Sequence, residues 1–210
     1  MSWLADLFFP PKCPFCAAAV PRKIAVCPKC ENEKISHGIK RKVFLKSGII
    51  ADCLAPYVYD DIINAMHRFK FGGNVSAARG FAIKMADEVR KSGFSAQCVT
   101  YVPMYRVQKR ERGYNQAELL AKELSLQLQI PCVKMLEKKK ETKMQHKLTS
   151  AERKKNLKGA FAVKVPDDVK SVLLCDDIIT TGTTMQICMN ELCQGGIEKI
   201  MGITVASTEK

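Results

Sequence analysis

Residues 172–184 read Val172-Leu173-Leu174-Cys175-Asp176-Asp177-Ile178-Ile179-Thr180-Thr181-Gly182-Thr183-Thr184. The first four are consecutive apolar residues, the pattern of a short strand buried on both faces. Asp176 and Asp177 leave its carboxyl end as adjacent carboxylates. After an apolar pair, Thr180 to Thr184 open a helical pattern that runs to about Gln194. A hydroxyl-rich turn at a helix N-terminus suits a phosphate monoester. Free backbone N–H groups and the positive end of the helix dipole face the anion, threonine hydroxyls add donors, and Gly182 allows close approach. The carboxylates can accept hydrogen bonds from vicinal ribose hydroxyls, with Mg²⁺ carried on the phosphates. The plain alternative, a strand–turn–helix capped by threonine, leaves the charged pair before Ile178-Ile179 unexplained.

All thirteen positions resemble the phosphoribosyl-pyrophosphate (PRPP) motif of type I phosphoribosyltransferases. The resemblance implies that Asp176 and Asp177 serve the ribose and that Thr180, Thr181, Gly182, Thr183 and Thr184 hold its 5′-phosphate. Outward from this stretch, Val99–Val102 reads as a second short strand of parallel type. It leads through Pro103 and Arg106 into a basic turn containing Lys109, Arg110 and Arg112. Gly113 breaks the turn, and Asn115 caps a helix reaching about Leu128. A strand end that feeds a basic loop and a helix makes a second anion site, so Arg106, Lys109, Arg110 and Arg112 join the PRPP-binding candidates. A solvated charged turn is the plain alternative.

Leu173–Cys175, Val99–Val102, Val133–Leu136, Phe161–Val165 and Ile200–Ala206 read as strands separated by helices or long loops. Their alternation predicts an α/β protein: a mainly parallel sheet flanked by helices, of the type I phosphoribosyltransferase kind that the motif implies, with ligands at the carboxyl ends of the strands. Ile49–Tyr59 is β-prone, and Asp60–Phe71 reads as a helix ending at Gly72-Gly73. Residues 75–91 form an amphipathic helix with Val75, Ala78, Ala82, Met85, Ala86 and Val89 on one side. His67 receives no role.

Four of the ten cysteines form Cys13-x₂-Cys16-x₁₀-Cys27-x₂-Cys30. Two such knuckles can close a tetrahedral thiolate site, for which Zn²⁺ is the default ion. Two unrelated redox pairs are the alternative, and the matched form and short spacing argue against them. The other six cysteines follow apolar patterns as core filler. Trp3, Leu4, Leu7 and Phe8 have helical spacing; without flanking basic residues they read as a lid packed on the core, a membrane-surface helix being the alternative, while residues 31–48 read as a linker or a long hairpin. Residues 1–48 are therefore expected to form a zinc-ribbon-like module with its linker, and residues 49–210 the α/β domain.

At 210 residues and 47% hydrophobic content the chain can bury a core. No apolar run is long enough to span a membrane, and the start lacks a basic signal-peptide region, so the expected location is the cytoplasm, with the inner membrane face as a peripheral one. The net charge of +13 favours polyanions. Residues 137–158 carry nine Lys/Arg against three Glu. Lys138, Lys139, Lys140, Lys143, Lys147, Lys154 and Lys155 are accordingly candidate backbone contacts for single-stranded DNA, the alternative being a solvated loop.

The segment 102–121, VPMYRVQKRERGYNQAELLA, resembles the signature loop of the ComF family. So does the later arrangement of Gln145, Leu148, Arg153, Asn156 and Phe161, and the double CxxC completes the likeness. The resemblance implies a cytoplasmic protein of natural transformation that handles incoming single-stranded DNA. Its implied partners are the competence helicase ComFA and a DNA-processing protein. The likeness to type I enzymes adds a mobile cover over PRPP between Glu137 and Lys158. Two functions follow: a DNA-uptake protein that keeps a PRPP-type site, or a phosphoribosyltransferase that joins an unidentified acceptor to ribose-5-phosphate and releases pyrophosphate. For the second, the chain shows no evident base-recognition loop after its final strand. A DNA-binding adapter with a vestigial site is a third reading, opposed by the intact motif.

Overall fold

The computed structural model describes residues 11–34, 36–139 and 161–209. In chain order these form helix α1 (Pro28–Glu33), strands β1 (Ile39–Phe44), β2 (Ile50–Ala55) and β3 (Tyr57–Val58), and helices α2 (Tyr59–Phe71) and α3 (Ala77–Ser92). Strand β4 (Cys98–Tyr101), helices α4 (Arg106–Arg112) and α5 (Gln116–Leu128), and strands β5 (Leu136–Lys138) and β6 (Phe161–Val163) come next. The chain continues with β7 (Ser171–Cys175), β8 (Ile178–Ile179), α6 (Thr183–Gln194), β9 (Lys199–Ile203) and β10 (Ala206–Ser207).

The central sheet has the order β1-β2-β9-β7-β4. All neighbours are parallel except the hairpin β1–β2, in which Ile39 opposes Ala55 and Phe44 opposes Ile50. Residues 31–48, left open between linker and hairpin, thus supply an edge strand. Side chains alternate across the sheet. Leu173 and Cys175 of β7 join a core with α2, α3 and α5, whereas Val172 and Leu174 join one with α6 and the β5–β6 hairpin. This is the expected architecture, a mainly parallel sheet between helical layers.

Strands β2, β9 and β7 break beyond their carboxyl ends and pair again in the same order as the small parallel sheet β3-β10-β8. Asp176 and Asp177 occupy the break between β7 and β8. Adjacent carboxylates are poorly accommodated within a buried strand; regular strand pairing stops there and resumes with Ile178, while two backbone bonds to the β9–β10 segment span the break.

Three sequence expectations are corrected. Val133–Leu136 and Phe161–Val165 are not strands of the central sheet; β5 and β6 pair antiparallel on their own, Leu136 against Val163. Beside β4 this segment makes only the isolated bridge Val99–Cys132; further on, Met135 O accepts from the Lys164 N–H (2.8 Å), just beyond β6, instead of pairing with β4. The basic turn is a helix, α4, whose helix-forming residues (Gln108, Lys109, Arg110, Glu111) end at Gly113 in the left-handed region, φ 81°. Val75 lies ahead of α3 and is 48% exposed, unlike the buried Ala78, Ala82, Met85, Ala86 and Val89. The proposed N-terminal lid helix falls outside the described residues.

Candidate functional site

Asp176 and Asp177 are held by the β9–β10 segment beside them. The Asp176 N–H donates to Ile203 O (3.0 Å), and the Val205 N–H donates to Asp177 O (3.0 Å). The Asp177 N–H donates to Asp176 Oδ1 (2.8 Å). The Asp177 carboxylate pairs with the Lys70 ammonium from the end of α2, Oδ2 to Nζ 2.9 Å. Burial, together with the charge of Asp177, pushes the Asp176 carboxyl well above the usual carboxylate range. With Asp177 paired to Lys70, Asp176 is the carboxyl whose ionised form a cation or a set of hydroxyl donors would favour.

Downstream, Ile179 is buried and Thr180 and Thr181 are exposed. Gly182 adopts φ 74°, ψ −2° as the N-cap of α6; any other residue would be strained there. The Thr181 and Thr183 hydroxyl oxygens lie 3.0 Å apart. The first N–H groups of this 12-residue helix lack intrahelical acceptors and present a local positive potential. Arg41 of β1 fastens the start of the loop by donating from Nη1 to Thr180 O, and its Nη2 pairs with Glu209 Oε2 at 3.0 Å.

The segment 112–116 closes on the same region. Val102 donates to Cys175 O (2.9 Å), so the strand ends that carry the two candidate anion loops are adjacent. Asn115 caps α5 through Ala117 N–H (3.0 Å) and donates to Val102 O (3.2 Å). The Tyr114 hydroxyl donates to Phe69 O (2.5 Å), Gln116 Nε2 donates to Lys70 O (3.2 Å), and the Arg112 guanidinium lies 4.7 Å from the centre of the Phe71 ring. This segment clasps the end of α2 and thereby sets the backbone from which Lys70 reaches Asp177.

The structure thus brings Asp176, Asp177 and Thr180 to Thr184 together and connects Arg112 to them through α2. Arg106 pairs with Glu137 (3.2 Å) and Lys109 with Glu118 (2.7 Å), while Arg110 is exposed. Of the seven DNA-contact lysines, Lys138 ends β5 and Lys139 is exposed; Lys140, Lys143, Lys147, Lys154 and Lys155 lie outside the described residues. Sequence reasoning missed Lys70 and Arg41. Each acts across the fold on a segment distant in the chain, and no local spacing marks either.

A second centre is the cysteine cluster. The sulfur atoms of Cys13, Cys16, Cys27 and Cys30 all lie within 4.8 Å of one another, and those of Cys16 and Cys27 are 3.5 Å apart. Tetrahedral Zn²⁺ with Zn–S near 2.3 Å requires sulfurs roughly 3.8 Å apart, so this donor set fits a structural zinc without an open position. The Cys30 backbone N–H holds the Cys27 thiol down at about 7, whereas burial pushes Cys30 up. A divalent cation favours the thiolate at all four.

Comparison with known proteins finds the cysteine module. The double zinc ribbon domain model matches residues 4–42. Competence protein F of Haemophilus influenzae is 35% identical over 144 residues, which cover 64% of this chain and 63% of that protein, just under two thirds of its length. The DNA utilization protein YhgH of Salmonella typhimurium is 26% identical over 88% of this chain and 85% of its own. Competence protein ComFC of Bacillus subtilis is 25% identical over 81% and 72%. Among solved structures, the glutamine PRPP amidotransferase from B. subtilis aligns with TM-score 0.41 and 19% identity, covering 65% of this chain and 30% of that one. The purine phosphoribosyltransferase from Pyrococcus horikoshii aligns with TM-score 0.36 and 16% identity, covering 64% and 84%. The chain is a homologue of proteins named competence protein F, ComFC and DNA utilization protein YhgH, with a double zinc ribbon at its N-terminal end.

Proposed function

We propose that the protein acts in DNA uptake for natural transformation, handles single-stranded DNA, and binds a PRPP-type ligand at the break after β7. The observation that carries the ligand site is the juxtaposition of the Asp176-Asp177 pair with a left-handed Gly182 and the N-terminus of α6. Asp176 and Asp177 would hold the ribose hydroxyls directly or through Mg²⁺. Thr180 to Thr184 would hold the 5′-phosphate, and Arg106, Lys109, Arg110 and Arg112 would face the diphosphate. The DNA assignment draws on the names of the relatives and on the +13 charge. In this reading residues 1–48 are the zinc module with its linker and residues 49–210 the ligand-binding domain, to which β1 lends an edge strand. The cytoplasm is its location, at the inner membrane face when engaged, and the ComFA helicase and a DNA-processing protein are its partners.

The second reading is a phosphoribosyltransferase with release of pyrophosphate. It is favoured by the ion pair of Lys70 with Asp177, which puts a cation beside the proposed ribose site. In that chemistry Mg²⁺ supplies charge stabilisation to the departing pyrophosphate. The chain's own groups position the ribose and leave the anomeric carbon open to an acceptor.

One experiment separates the readings. Pure protein is given PRPP, Mg²⁺ and a nucleobase panel, with and without single-stranded oligonucleotide, while pyrophosphate release and oligonucleotide anisotropy are followed. Salt-sensitive binding without pyrophosphate supports the first reading. Base-dependent pyrophosphate release supports the second, and neither signal refutes both.

A further inference from the structure

Phe71, the last residue of α2, has a 60% exposed ring immediately after Lys70. Two planar side chains stand against it. The His67 imidazole, one turn earlier, has its centroid 5.1 Å from that of Phe71 at an interplanar angle of 45°. The Arg112 guanidinium carbon is 4.7 Å from the ring centre. A lone exposed phenylalanine would need no explanation. This one sits on fixed backbone, because the Phe69 and Lys70 carbonyls accept from Tyr114 and Gln116. Core packing at this end of α2 is already supplied by Phe69, which is 0% exposed and packs edge-on to Phe81. A ring that remains 60% exposed with a permanent cation over it has the chemistry that receives unpaired nucleobases: the aromatic and guanidinium planes stack on a base and the cation meets the neighbouring phosphate. Lys109 and the exposed Arg110, on the same helix as Arg112, extend the positive surface away from the ring.

We propose that Phe71, with His67 and Arg112 beside it, is a stacking site for a base of single-stranded DNA. The proposal rests on the DNA-handling reading above and adds to it a place where bases are held. Paired bases in a duplex have no free face to offer, so the site selects single strands. It also sets a strand next to the Asp177–Lys70 pair, one residue away along α2.

The test measures anisotropy of labelled oligo(dT) and of an abasic oligonucleotide with the same number of phosphates. Wild-type protein, Phe71→Ala and Phe71→Trp are compared at several salt concentrations, with melting temperatures as the folding control. Wild type should prefer oligo(dT), and Phe71→Ala should lose about 5- to 100-fold in oligo(dT) affinity with an unchanged salt slope. Phe71→Trp should retain affinity and show quenched emission on binding. Equal oligo(dT) binding by wild type and Phe71→Ala, or no wild-type preference over the abasic strand, overturns the stacking site while leaving DNA handling intact. Failure of wild type to bind either oligonucleotide overturns both.

Discussion

Asp176 is the residue at which stability and ligand binding conflict. Its carboxyl is pushed above the ordinary range by burial and by Asp177, so the folded state holds its proton more tightly than the unfolded chain does. The sign follows from linkage. The stability it allows is full below the ordinary carboxylate value, and it is lost as pH climbs toward the raised folded value. Asp176→Asn should therefore melt at the same temperature as wild type at low pH and above it near neutrality, by ~2–4 °C for each kcal/mol relieved. The same variant should lose ligand affinity. Thermal melts across pH check the first part, and a variant that is less stable at every pH contradicts it. Lys70 is the counterpart. Its pair with Asp177 is largely shielded, with side chains 22% and 17% exposed, and removing one member leaves two carboxylates facing each other. Lys70→Met should cost about 1–3 kcal/mol, and millimolar Mg²⁺ should recover part of that loss while changing wild type little. Melting with and without Mg²⁺ reads both effects. Asp176 and Asp177 are legible in the sequence because strand, carboxylates and turn are contiguous. Lys70 is not, because only the folded sheet places the end of α2 beside the end of β7.

At the scale of elements, the zinc module is fused to the core. The Phe15 ring, between Cys13 and Cys16, meets Tyr57 and Phe81 edge-on at 5.4 and 5.9 Å. Arg68 donates to Phe15 O, and Lys84 pairs with Glu31. A Cβ on Gly80 of α3 would lie 2.5 Å from Ala25 O and 2.8 Å from Pro14 Cδ, so only glycine lets the module dock this closely. Metal removal should therefore unfold residues 11–32 and also lower the melting temperature of the rest, since each aromatic contact contributes about 0.5–1.5 kcal/mol beyond burial. Melting of the full protein with and without a zinc chelator checks this; an unchanged core transition would mean the module is merely appended. Gly80→Ala should lower the same transition with zinc still bound. The cysteine spacing makes the knuckles readable from sequence, but their docking depends on Gly80, a residue far along the chain with no visible pattern. In the basic segment the charges favour a turn, but the helix-forming residues between Arg106 and Arg112 prevail until Gly113 ends them.

Across the whole molecule, the strand order β1-β2-β9-β7-β4 makes β7 and β4 neighbours and gathers the proposed ligand groups at their carboxyl ends. The loops after β4 and β7 meet because those strands are neighbours, and α2 joins them through Lys70 and Phe71. Alternating apolar segments made the parallel core predictable. Pairing order was not, since buried strands of similar composition can exchange places without changing their local pattern. Beside β4, a segment expected in the sheet makes one bridge and then pairs as a separate hairpin. The central claim is that the carboxyl end of the sheet at β7 and β4 binds a Mg²⁺-borne phosphoribosyl diphosphate. Its most direct test is calorimetric titration of Mg²⁺-PRPP into wild-type protein and into Asp176→Ala/Asp177→Ala, with circular dichroism to verify that both are folded. The account predicts saturable one-to-one binding by wild type and at least ~10-fold weaker binding by the folded double variant, the equivalent of about 1.4 kcal/mol. No binding heat with wild type, or equal affinity in the two proteins, would contradict it.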